Sequence, residues 1–249
     1  MRPLLVDRSV GQHALVPAHR VPSSFWISMC NLYSQTRNQK PIRDLFKVNL
    51  KRAVVFAPMA AILPAWHAPV VRLAEDGERE LVNMSWGFVH SQPGRSPKRV
   101  TTVRDDKIMT DFWRPSFEQR RCLVPATSFC EPDDRRSEGA RATWRWYALK
   151  GDEPRPPFAF AGIWQRYRGP IKKGARPVVL DVYSFITTPN GGIASINCER
   201  TPVLLTTDEE RDTWLRGSPD EARMLIRPIE GERLHVVQVG PKKGDLLRG

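Results

Sequence analysis

Apolar positions along this chain come in short bursts. Between about residues 52 and 205 they form brief or alternating runs at Ala53–Ala57, Cys122–Pro125, Phe158–Trp164 and Val182–Thr187, each cut short by proline, glycine or charge. Runs of this length with period-two character predict strands, so the pattern is mostly β. The breaks at Gln92–Arg99, Pro132–Arg141 and Gly169–Arg176 are polar or basic. On a sheet scaffold such loops are either plain solvated connections or the places that carry binding groups.

Helical signals flank this region. Pro41, Ile42, Leu45 and Phe46 fit a helix. Near the C-terminus, Thr207-x-x-Glu210 and Ser218-x-x-Glu221 both have capping-box spacing, the second with Pro219 at the first helical position. Trp214, Leu215, Met224 and Leu225 are expected on the buried faces of these helices. No internal repeat stands out, which argues against a solenoid or propeller.

The length of 249 residues fits one domain with a substantial core. Residues 1–28, with His13, Pro17, His19, Pro22 and the Ser23–Ser24 pair, lack sustained periodicity and read as a loose extension or a misplaced start. The folded unit is expected from Met29 to about residue 240, with 241–249 as a basic tail.

Composition narrows the class. Hydrophobic residues at 41% and charged residues at 27% are ordinary for a globular domain once glycine is counted, which excludes wholesale disorder. The 39 Lys and Arg against 27 Asp and Glu leave a formal charge of +12, which favours a polyanionic partner. Four cysteines, Cys30, Cys122, Cys130 and Cys198, have neither zinc-site spacing nor the density of a disulfide scaffold. A reducing cytoplasm fits them. No apolar run approaches the ~18 residues of a membrane span, and no secretory signal opens the chain. The expectation is a cytoplasmic, nucleoid-associated monomer with no cofactor, no metal and no membrane contact.

Cys30 follows Met29, and removal of that methionine would leave an α-amine and a thiol on one residue. An α-amine with a pKa near 7.7–8.0 is partly unprotonated at neutral pH, so it forms an imine with an aldehyde, and the neighbouring sulfur then closes a five-membered ring. Glu131 ends the run Arg121–Cys130 and is either a surface charge or, in a desolvated pocket, a proton-transfer group with a raised pKa. Arg104 in Thr101-Thr102-Val103-Arg104-Asp105-Asp106 either grips a phosphate or pairs with the adjacent acids. Of the histidines, His13 and His19 fall in the extension, His67 and His90 in expected loops and His235 in a strand-like run.

Met29-Cys30-Asn31-Leu32-Tyr33-Ser34 resembles the opening of the SOS-response-associated peptidase family, also known as abasic-site processing proteins. The resemblance continues in family order through Ser85–Val89, Thr102–Arg104, Arg121–Glu131, Phe160–Trp164 and Thr201–Leu205. It implies a single α+β domain around a strongly curved, barrel-like, mostly antiparallel sheet with flanking helices. It also implies a basic groove for single-stranded DNA and a thiazolidine link between the N-terminal cysteine and the opened abasic sugar. By matching motifs, Cys30 is the nucleophile and Glu131 serves proton transfer and the autoproteolytic chemistry. Arg104 holds phosphate, Trp86 with Gly87 walls the groove near the lesion, and Asn31 and Thr102 also belong to the DNA-binding set.

Two positions depart from the family pattern. Thr102 stands where the family carries asparagine, and the family histidine before Pro202 is replaced by Asn197, or by Cys198 if counted from the proline. Loss of the imidazole implies slower proton-dependent steps. The leading expectation is therefore an abasic-site crosslinking enzyme. Its rivals are a catalytically impaired single-stranded DNA-binding module of the same fold, and a conventional thiol hydrolase built on Cys122, Cys130 or Cys198.

Overall fold

The structure is a computed structural model that describes residues 31–133, 143–191, 199–240 and 244–245. Its strands are β1 Tyr33–Gln35, β2 Met59–Ile62, β3 His67–Leu73, β4 Arg79–Trp86, β5 Phe88–His90, β6 Lys98–Val100, β7 Thr102–Arg104, β8 Arg121–Ala126, β9 Ser128–Asp133, β10 Thr143–Leu149, β11 Phe158–Gly169, β12 Val178–Pro189, β13 Arg200–Pro202, β14 Leu204–Leu205 and β15 Leu234–Gly240. The helices are α1 Gln39–Leu45, α2 Arg114–Gln119, α3 Asp208–Arg216 and α4 Pro219–Met224.

Five strands close on themselves in the order β12-β4-β3-β8-β11 and back to β12, all antiparallel except the parallel β12–β4 pair. A second, wholly antiparallel sheet of order β15-β10-β9-β1-β2 covers the barrel. The chain passes from one sheet to the other between β8 and β9 at Thr127, whose N–H donates to the Ser34 carbonyl at 2.9 Å. The architecture is thus one domain with mostly antiparallel sheets and few helices, as expected.

Alternation of side chains sorts the core into layers. Val70, Cys122, Val124 and Phe160 point into the barrel and towards the second sheet, joined by Tyr33, Phe129 and Tyr147. Val71, Leu123, Ala159 and Ala161 point outward, where Ile42, Phe46, Phe117 and Trp214 of the helices cover them. Strands with both faces covered have no reason to alternate polar and apolar residues, which explains the unbroken apolar stretch of β11. Gly162 lets β11 approach β8, since a Cβ there would sit 2.8 Å from both Cys122 Sγ and Val124 Cγ2. The Trp214 indole closes this junction, its Nε1–H donating to the carbonyls of Cys122 and Gly162, each at 3.0 Å.

Both capping boxes form. Thr207 and Glu210 cap α3, and Ser218 and Glu221 cap α4. Three expectations need correction. Met224 is 77% exposed, because the short α4 buries Ala222 and carries Met224 round to solvent. Ala53–Ala57 forms only an isolated bridge at Ala53, and the strand of this region is β2. Asp245, placed in a basic tail, is 1% exposed and bidentate to Arg155 at 2.6 Å on both oxygens, so the folded domain reaches past residue 240.

Candidate functional site

Asn31 and Glu131 lie where the β1–β9 pairing runs out, beside Trp86 at the end of β4. Tyr33 faces Phe129 and Ser34 faces Ser128. The Cys130 N–H donates to the Leu32 carbonyl at 2.9 Å, so this register runs on and brings Glu131 opposite Asn31. Leu32, Cys130 and Trp146 pack on the outer face of the sheet, whereas Tyr33, Phe129 and Tyr147 face the barrel. By alternation Asn31 and Glu131 share the barrel-facing side. Glu131 is only 1% exposed.

Asn31 is held from the barrel. The Thr101 hydroxyl donates to Asn31 Oδ1 at 2.8 Å, and the Thr101 carbonyl accepts from Trp86 Nε1 at 3.0 Å. Trp86 is fully buried, stacked on Phe185 with centroids 5.4 Å apart and met edge-on by Tyr33 at 5.0 Å. The groove-wall role expected for Trp86 is therefore corrected. Its ring is part of the core, and what it delivers to the site is the position of Thr101 and, through it, Asn31.

Gly87 is also buried and forms no wall. Its φ of +102° lies where side chains are strained, and it swings the chain from β4 into β5 while its N–H donates to the Tyr183 carbonyl at 2.7 Å. A further tie joins the two sheets at this point, a 2.5 Å hydrogen bond between the hydroxyls of Tyr33 and Tyr183. Burial, with Tyr33 beside it, pushes the Tyr183 pKa well above its usual value. Tyr33 belongs to the Met29–Ser34 motif and Tyr183 only to the apolar run Val182–Thr187, and nothing local marks either for this role.

Thr102 is buried on β7, where parallel pairing sets it beside Phe185. Arg104 ends the same strand with its guanidinium about half exposed and forked onto Asp106, Nε to Oδ1 at 2.8 Å and NH2 to Oδ2 at 3.1 Å. Hydrogen bonding to that carboxylate raises the arginine pKa and lowers that of Asp106. Arg200, which sequence reasoning passed over, braces the same region by pairing with Asp105 and donating to the Thr187 carbonyl at 2.6 Å. Cys30, Asn197 and Cys198 lie outside the described residues.

The other candidate nucleophiles fit poorly. Cys122 and Cys130 are free thiols at 0% exposure, and burial pushes the Cys122 pKa far up, whereas the thiolate is the reactive form. His67 is exposed at the start of β3, His90 packs edge-on against Phe112 at 4.8 Å, and His235 pairs with Ala148 on β15. Burial, then Arg155 and Lys150, lowers the His235 pKa.

The family model described as SOS response associated peptidase matches residues 29–245. Among solved structures, a protein from Bordetella bronchiseptica has a TM-score of 0.64 and 22% identity, covering 83% of this chain and 98% of its own. A protein from Bacteroides thetaiotaomicron gives 0.62 and 20%, covering 83% and 90%. A phage-related protein of Bordetella bronchiseptica gives 0.63 and 20%, covering 86% and 94%. No curated protein matches the chain. At these identities the solved structures speak for the fold.

Proposed function

This chain belongs to the SOS response associated peptidase family, and from that premise we propose that it captures the aldehyde of an abasic site in single-stranded DNA through Cys30. The observation that carries the reading is the placing of buried Glu131 by strand register opposite Asn31, the covalent neighbour of Cys30, whose side chain is held by the Thr101 hydroxyl between β6 and β7.

The chemistry needs a free N-terminus. The α-amine of Cys30 adds to the aldehyde carbon and loses water to give an imine. The thiol then adds across the C=N bond, sulfur to carbon and proton to nitrogen, closing a thiazolidine. The net change is the loss of one water. Glu131 moves protons in both steps and in the autoproteolytic cleavage that exposes Cys30. Arg104 holds a phosphate after exchanging Asp106 for it, a charge-assisted contact of the same geometry. Desolvation around Glu131 strengthens these polar interactions.

A protein beginning at Cys30 is expected to form an adduct with abasic single strands that survives a denaturing gel, and Cys30→Ala is expected to form none. Asn197 in place of the family histidine favours one other reading, a binding module without the covalent step. Tight binding of the same DNA with no adduct from a verified free Cys30 terminus would select it.

A further inference from the structure

The two basic loops of the sequence meet in space, away from Asn31 and Glu131. The β5–β6 hairpin pairs Phe88 with Val100 and His90 with Lys98, and its loop carries Arg95. β11 and β12 run as a long hairpin from Gly162–Phe185 out to Gly169–Val178, with Arg168 near the tip and Lys172, Lys173 and Arg176 in the loop. A hydrogen bond of 3.0 Å between Ser91 Oγ and the Tyr167 hydroxyl links the two hairpins, and Ser184 of β12 joins them again, donating to the Val100 carbonyl at 2.7 Å. Arg99 is spent on structure, its NH1 donating to Ser85 Oγ at 3.0 Å and the Gly87 carbonyl at 2.9 Å.

Arg95, Lys98, Arg168, Lys172, Lys173 and Arg176 are all exposed, and none has a carboxylate partner among the described residues. Neither segment 91–99 nor 168–180 contains an acidic residue. Six uncompensated charges on two adjoining tips equal half of the +12 carried by the whole chain. Elsewhere among the described residues most exposed arginines have a carboxylate partner, as in Arg104–Asp106, Arg166–Asp181 and Arg227–Glu210, with Arg223 and Arg233 the exceptions. Clustered like charge disfavours the compact fold, so a patch of this density calls for a reason beyond solubility.

We propose that these two hairpin tips form a second nucleic-acid contact that grips the phosphodiester backbone of the DNA flanking the lesion site. Tyr167, an aromatic residue between the loops, is half-buried with its hydroxyl donating to the Pro170 carbonyl at 2.7 Å, and the exposed side chains of the two tips carry charge, so the surface reads the backbone rather than the bases. β6 leads through Thr101 directly to Asn31, so a strand bound at the tips is delivered along the hairpin towards the candidate site. The inference extends the proposed function, but its test needs no lesion.

The test is binding of the full chain to lesion-free single-stranded and duplex oligonucleotides, with Arg95, Lys98, Lys172 and Arg176 together replaced by alanine. The wild type is expected to lose affinity steeply with salt. The variant is expected to bind at least tenfold more weakly, its log–log salt slope flatter by about 0.7 per lost contact on single strands or about 0.9 on duplex. The probe that loses more identifies which form of DNA the tips hold. Unchanged affinity and slope on both probes, with the variant folded by circular dichroism, would overturn the inference. Failure of wild type to crosslink an abasic strand would count against the proposed function and leave this result intact.

Discussion

At Trp86 the distinction between a wall and a support has a measurable consequence. Its ring is buried, stacked and hydrogen-bonded, so Trp86→Ala is expected to cost about 3–5 kcal/mol of stability in urea unfolding. A surface stacking residue would instead leave stability nearly unchanged and weaken DNA binding alone. Arg104 is the reverse case. It is exposed and forked onto Asp106, and if it serves phosphate, Asp106→Asn should tighten DNA binding, whereas Arg104→Ala should flatten the salt slope by about 0.7 on single strands. No change in either variant would remove Arg104 from the DNA contact. Glu131→Gln keeps size and burial but removes a titratable group, so it should slow adduct formation and leave DNA affinity intact. Equal loss of both would make Glu131 a structural residue.

Among the elements, α3 shows how local signals and charge act together. Thr207 accepts from the Glu210 N–H at 3.1 Å in the capping box, and Thr207→Ala is expected to cost about 1 kcal/mol. Asp208 in its first turn bonds Lys47 first and then Arg211, which hold its pKa at about 2 against an ordinary 3.8. A carboxyl that binds its proton less tightly when folded adds stability that is complete above the ordinary value and lost as pH falls towards 2. Urea midpoints measured down this acid range should therefore fall less steeply for Asp208→Asn than for wild type. Parallel acid limbs would show that the Lys47 and Arg211 contacts contribute nothing in solution.

Across the whole molecule, what the sequence revealed and what it hid divide by contact range. The capping boxes, α1 and the strand-rich middle were legible because their causes lie within a few residues. The barrel closure was not, because it depends on β12 pairing in parallel with β4, far away in the sequence, and no local motif signals that contact. Arg155 and Asp245 find each other across 90 residues, and an acidic residue in a lysine-rich tail gives no sign that it is buried. Asp245→Ala is expected to cost about 3–5 kcal/mol by stranding Arg155. A loss below about 1 kcal/mol would show the pair contributes as little as a surface bridge. At the site, Asn31, Glu131 and Arg104 were marked by motif, whereas the supporting roles of Thr101, Tyr183 and Arg200 depend on packing that only the folded chain displays.

The most direct measurement is the intact mass of the protein, started at Cys30, after incubation with abasic single-stranded DNA under denaturing work-up. The expected product is a species equal to protein plus DNA less one water, absent from Cys30→Ala and slower to appear in Glu131→Gln. Unmodified protein carrying a verified free Cys30 terminus, recovered from a mixture in which the DNA was fully bound, would contradict it.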